Sequence, residues 1–264
     1  MHPQNATVIL SNPPVVETVL GIQFADLARW STVHHGLFFS RIRADFPKFR
    51  LMPEQPAIVE SFPATPRGIR FGLTNQPGPD CAVFLNENET QLIRIQRNRF
   101  SYHWVGLPDG TYPHYSTNSQ VCADLLEIFE QFCNDENVGT ITPVLCEVVY
   151  VNEVAPEANQ TVPGLIHEVF DANLGDFELA TLNRTFVLGE NQGRLYTEIN
   201  STDKADQRIL QFKLTARVRH EKEDPLRTAH GAMDTLSCGH EWLIEHFLKL
   251  TNKRVRIEQW GSNE

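Results

Sequence analysis

The sequence predicts an α+β fold of two similar halves, each an antiparallel sheet with one or two helices packed on one face. Three observations predict it. Apolar stretches of period two recur, joined by links short enough to require antiparallel neighbours. Longer stretches, with apolar residues at spacings of three to five, separate these groups of strands. The order strand, helix, several strands, long helix occurs twice, with a seam near 137–143. The halves are therefore drawn as residues 1–139 and 140–264, either as two units or as one continuous domain whose sheets join edge to edge.

The first strand is Val15–Phe24, after Pro13-Pro14. Alternation puts Val16, Thr18, Leu20, Ile22 and Phe24 on one face, and Glu17, Gly21 and Gln23 on the other. Leu27, Trp30, Val33, Leu37, Phe38, Ile42 and Phe46 predict a helix over 27–46, stopped by Pro47. Short strands follow at Ala57–Phe62, Gly68–Thr74, Cys81–Leu85, Gln91–Gln96 and Phe100–Val105. Pro63, Pro66, Pro77-Gly78-Pro79 and the polar run 86–89 punctuate them, and Arg97-Asn98-Arg99 makes a tight hairpin. A second helix over 116–134 shows an apolar face of Val121, Leu125, Ile128, Phe129 and Phe132, with Ser116 or Thr117 as its cap.

The pattern then restarts, since Pro143–Val151 echoes Pro14–Ile22 in composition and position. A short helix over 163–170 precedes strands at 177–188, 194–200 and 208–219. The last of these points Phe212, Leu214, Ala216 and Val218 inward and Lys213, Thr215, Arg217 and Arg219 outward. A final helix over 228–250 carries Met233, Leu236, His240, Leu243, Phe247 and Leu250 along one stripe. Its basic end, with Lys249, Lys253 and Arg254, suits the helix dipole.

Composition narrows the function. A chain of 264 residues with 41% hydrophobic residues can bury a sizeable core. No window approaches the roughly 20 apolar residues that cross a bilayer, and Met1–Asn5 does not open a secretory signal, so no membrane association is expected. The five cysteines are widely spaced and lack any Cys-x-x-Cys pair. They read as small buried apolar residues in a reducing cytoplasm rather than as a disulfide or zinc framework. A net charge of −10 argues against a general nucleic-acid binder.

No catalytic signature stands out. His240 and His246 are six residues apart, with Ile244 where a zinc-protease helix needs its second histidine, so no metal site is expected there. Neither a phosphate-binding glycine loop nor a Gly-x-Ser-x-Gly elbow is present, and no cofactor is expected. His34-His35, Arg41 and Arg43 read as a solvated helix face. Glu17 and Glu147 are carboxylates in otherwise apolar strands, each needing a water-exposed face or a partner such as Arg94, Arg217 or Arg219. A basic-aromatic hairpin carries Arg94, Arg97, Arg99, Tyr102, His103 and Trp104, with Phe100, Tyr102 and Trp104 on its core face. Should a pocket form between sheet and helices, its candidate ligand-binding residues are Glu17, Arg94, Tyr102, Trp104 and His240.

Four segments carry a family resemblance. They are the opening Asn12-Pro13-Pro14-Val15-Val16-Glu17; Gln96–Phe100 with Trp104; Tyr112-Pro113-His114-Tyr115 before a helix bearing Phe129 and Phe132; and His240–Phe247 running through Thr251 to Trp260-Gly261. Together they resemble a sporadically distributed family of uncharacterised bacterial proteins of about 250 residues. The family's acidic residue after the terminal histidine is Asp, where this chain has Glu241. The resemblance brings no activity, cofactor or catalytic residue. It implies a bacterial protein of the kind carried on mobile cassettes, such as phage-defence loci.

The functional expectation is a non-enzymatic interaction module that binds a protein partner or a copy of itself. Its surfaces would be the hairpin, a sheet face or the exposed-looking aromatics Tyr112, Tyr115, Trp242 and Trp260. The alternative is a small-ligand-binding protein or enzyme with a pocket between sheet and helices.

Overall fold

In the computed structural model the described residues are 8–63, 80–107, 110–157, 160–170, 181–189, 192–204, 207–220 and 228–264. Their strands are Val15–Phe24 (β1), Lys48–Pro53 (β2), Asp80–Leu85 (β3), Gln91–Gln96 (β4), Arg99–Val105 (β5), Pro143–Val154 (β6), Thr181–Leu188 (β7), Gly193–Lys204 (β8) and Gln207–Arg219 (β9). The helices are Val33–Ile42 (α1), His114–Asp135 (α2), Val162–Phe170 (α3), Ala229–Leu250 (α4) and Lys253–Glu258 (α5).

All nine strands join in one antiparallel sheet, in the order β2-β3-β4-β5-β1-β6-β9-β8-β7. This corrects the expectation of one sheet per half. The first strand of each half would otherwise leave an open edge, and β1 and β6 close both edges by pairing, with Val19 opposite Val149. Strands β5 and β9 flank this central pair.

Apolar alternation decides which face the helices cover. Leu20, Ile22, Phe24, Phe100 and Tyr102 share one cluster with Phe38 of α1, Phe129 and Phe132 of α2, Leu165 of α3 and Phe247 of α4. Phe38, Phe129 and Phe132 pack with ring centroids 5.3–6.4 Å apart. Each is fully buried, which stabilises the fold by about 1.5–3 kcal/mol per side chain. Thr228 caps α4 through its side chain, accepting from the Gly231 N–H.

Several element boundaries depart from expectation. Helix α1 is shorter than 27–46, because Leu27 and Phe46 reach the core from flanking loops. Helix α2 starts at His114, ahead of the expected cap at Ser116 or Thr117, and has no side-chain cap. His35 is buried against Trp30, so that helix face is not wholly solvated. Strand β2 was hidden between Pro47 and Pro53, and α5 by its shortness. Ala57–Phe62 is not a strand. Its backbone at Ile58 and Ser61 bonds to side chains of the sheet, Gln23 and Arg194, rather than to a neighbouring strand's backbone. The expected strand Gly68–Thr74 and residues 177–180 lie outside the described residues.

Candidate functional site

The face without helices carries the polar half of each alternation. Glu17, Val19, Gly21 and Gln23 of β1 line a pocket there with a volume of about 220 Å³. Ser101 and His103 of β5, Arg94 of β4, and Glu147 of β6 also line it. Register sets these side chains in a row. Arg94 lies opposite Ser101, Ser101 opposite Gly21, Gly21 opposite Glu147, and Glu147 opposite Arg217. Gly21 leaves a dip in that row. A Cβ there would sit 3.7 Å from Glu147 Cβ and 3.8 Å from Ser101 Cβ.

A strap, residues 54–62, roofs one end of the face. Gln55 exchanges hydrogen bonds with Gln96, and Ile58 with Gln23. At the far end Glu60 binds Arg194 and accepts from the Tyr196 hydroxyl at 2.6 Å. The Phe62 ring lies beneath the guanidinium groups of Arg194 and Arg219, at 4.0 and 5.0 Å.

Three pocket residues form a linear relay. His103 Nδ1 lies 3.1 Å from Glu17 Oε1, and His103 Nε2 lies 3.1 Å from Ser101 Oγ. The hydrogen bond from His103 holds the Glu17 carboxyl below its ordinary range, outweighing the opposing effect of burial. An ionised carboxylate only accepts, so Nδ1 carries the imidazole proton and Nε2 accepts from the Ser101 hydroxyl. Burial drives the His103 pKa down despite Glu17, which keeps the ring neutral at pH 7.

The cations beside this relay are unequally satisfied. Arg99 donates to Gln55, Gln23 and the Pro56 carbonyl, and Arg217 donates to Glu147 at 2.6 Å. Lys213 pairs with Glu198 at 3.4 Å. Arg94 differs. Among the described residues its guanidinium makes no hydrogen bond or ion pair, and its Nε, like that of Arg99, is buried without a partner.

The five sequence candidates do not form one site, because the sheet lies between them. Glu17 and Arg94 face the pocket, whereas Tyr102 and Trp104 belong to the helix-covered core. Tyr102 donates to Asn118 at 3.4 Å, and Trp104 packs edge-on against Tyr112. His240 stacks on Tyr115 with centroids 3.8 Å apart and shares a hydrogen bond with the Tyr150 hydroxyl at 2.9 Å. Burial alone pushes its pKa down to about 4. The aromatic residues expected at the surface also turn inward. Trp260 is buried against Phe247, Tyr112 and Tyr115 pack on the core, and Trp242 is half-buried.

Ser101 and His103 were not singled out as a pair by sequence. The available signal was their period-two relation, opposite in phase to Phe100, Tyr102 and Trp104. Among the described residues, no group of three or more His, Cys, Asp and Glu side chains could hold a metal ion. None of the described helices is long and apolar enough to cross a membrane. Comparison of the chain with protein-family models, with curated proteins and with solved structures finds no match in any of the three.

Proposed function

We propose that the chain binds a small molecule bearing an oxyanion, carboxylate or phosphate, in the pocket on the helix-free face. Arg94 carries this reading. A partly buried guanidinium that makes no hydrogen bond or ion pair among the described residues leaves a desolvation cost that a ligand's anion offsets. Its planar fork suits two oxygens of one carboxylate or phosphate. Val19, Val149 and Val151 give an apolar floor beside it, which favours a ligand with a short apolar body. Calorimetric titration with inorganic phosphate and with a series of short monocarboxylates tests this. One of them binds saturably, and Arg94→Gln abolishes that binding. Heats that never saturate, or equal binding by Arg94→Gln, remove the reading.

A second reading, an interaction module that pairs with a copy of itself, is favoured by the edge strand β2. Phe49, Leu51 and Met52 are 40%, 50% and 44% exposed there. Sedimentation of the full chain should then show a dimer that Leu51→Lys splits, and a monomer at all concentrations removes it. In either reading the chain works in a bacterial cytoplasm, which its five free thiols favour. A mobile or defence-related locus follows from the family resemblance alone. Neither reading involves nucleic acid or a membrane.

An internal duplication underlies the site in this proposal. It is supported by the mirrored strand order about the β1–β6 pair. Glu17 and Glu147 each stand two residues before the paired Val19 and Val149. An approximate two-fold axis through that pair would exchange the two carboxylates.

A further inference from the structure

We infer that Ser101 is a nucleophile, activated by His103 and Glu17, that takes the acyl group from a small carboxylic ester. The inference rests on the pocket reading: the anion that Arg94 meets is the oxyanion that develops on the ester carbonyl, and the carboxylate product is the bound anion.

Each role follows from position. Ser101 and His103 are two residues apart on one strand, so their side chains stand side by side on the same face. Val19 lies opposite His103, which puts Glu17 diagonally within reach of the imidazole. Both links of the relay fall within the 2.6–3.2 Å reach that proton transfer requires. Neutral His103, with its proton on Nδ1, presents a basic Nε2 to the serine hydroxyl.

Ser101 lies in mid-strand between β4 and β1, so its own N–H belongs to the sheet ladder. The developing oxyanion therefore falls to Arg94, directly across from Ser101 and without a hydrogen bond or ion pair among the described residues. The dip at Gly21, on the other side of Ser101, leaves room for the rest of the substrate.

The chemistry balances with water as the only co-reactant. Ser101 Oγ bonds to the ester carbonyl carbon as its proton passes to His103 Nε2. The carbon–oxygen bond to the alcohol then breaks, and that proton leaves with the alcohol oxygen. Water attacks the acyl-serine and gives a proton to Nε2. Ser101 Oγ recovers that proton as the carboxylic acid departs.

A neutral fluorophosphonate, read by intact mass and peptide mapping, tests the nucleophile directly. Phosphorus bonds to Ser101 Oγ, fluoride leaves, and the serine proton goes to His103. One adduct on the Ser101 peptide is expected. Ser101→Ala, checked by thermal melting to be folded, should take none, and His103→Gln should label at least about 100-fold more slowly. Gly21→Val, which fills the dip, should also block labelling. Protein that stays unmodified, or an adduct that persists in Ser101→Ala, overturns the inference. Anion titration on the same sample separates the two readings. Unlabelled protein that still binds the anion refutes the nucleophile alone. Labelled Ser101 in protein that binds no anion supports the nucleophile and refutes the oxyanion reading.

Discussion

The Tyr150 hydroxyl of β6 lies 2.9 Å from His240 Nδ1 of α4, and this hydrogen bond holds a neutral, partly buried imidazole on the helix-covered side of the sheet. Burial lowers the His240 pKa to about 4, whereas in the unfolded chain it titrates at its ordinary 6.5. Between those values the unfolded chain binds a proton that the folded chain does not. Stability is therefore complete above pH 6.5 and is lost as pH falls toward 4. The full loss is roughly 3 kcal/mol. Urea denaturation at pH 7 and pH 5 measures it. His240→Phe should be less stable at pH 7 by about 1–2 kcal/mol, because the Tyr150 hydroxyl loses its hydrogen-bond partner. It should also lose less between the two pH values than the parent. An equal loss in both proteins rules out His240 as the source.

Glu60 anchors the strap, and its side chain is only 3% exposed beside Arg194 at 6%. Glu60→Ala leaves that arginine buried and uncompensated, at a cost of about 3–5 kcal/mol. The strap can escape part of this cost by lifting off the sheet. Limited proteolysis should then cut within residues 54–62 in the variant and spare the parent. Parent-like melting and cleavage would mean that the ion pair does not hold the strap.

Arg94 is expected to serve binding at the expense of stability. Arg94→Met removes a buried unpaired Nε and keeps an apolar stem over the sheet. Its stability should match the parent or exceed it by up to about 1 kcal/mol. A drop of more than 1 kcal/mol in chemical denaturation would show that the guanidinium has a structural partner after all.

Two glycines make opposite forecasts. A Cβ on Gly193 would meet the Arg217 carbonyl oxygen at 2.2 Å, and neither strand of the β8–β9 ladder can yield easily. Gly193→Ala should cost about 2 kcal/mol or more. Gly21→Ala, with its nearest contact at 3.7 Å, should change stability by less than about 1 kcal/mol while narrowing the pocket. Equal melting temperatures for the two variants would contradict this contrast.

The fold was legible wherever local pattern and burial agree. Residues 18–24 and 208–219 alternate cleanly, and the structure faces them as the alternation requires, whereas a register shift between Val15 and Glu17 brings Val15, and not the expected Val16, onto the core. The strap was misread for a physical reason. Ala57–Phe62 has extended, partly apolar character, but its partners are side chains of distant strands, from Gln23 to Arg194. The site was half legible. Glu17 stood out as a charge in an apolar strand, and Arg94 as its possible partner. Their connection to Ser101 and His103 depends on the register of β1 against β5, which no local period encodes. Tyr102, Trp104 and His240 attracted notice by residue type, yet alternation and packing send them to the opposite side.

The central place of β1 also has a consequence for synthesis. Among the described strands it is made first, yet its neighbours begin only at Arg99 and Pro143. At 5–20 residues per second, the 130 residues from Phe24 to Val154 take roughly 6 to 26 s to emerge. Until Val105 has emerged both sides of this ribbon are unmated, and for the rest of that interval the side that β6 covers stays open. A ribosome stalled midway would release the most aggregation-prone form of this protein, and truncation anywhere before β6 should yield inclusion bodies.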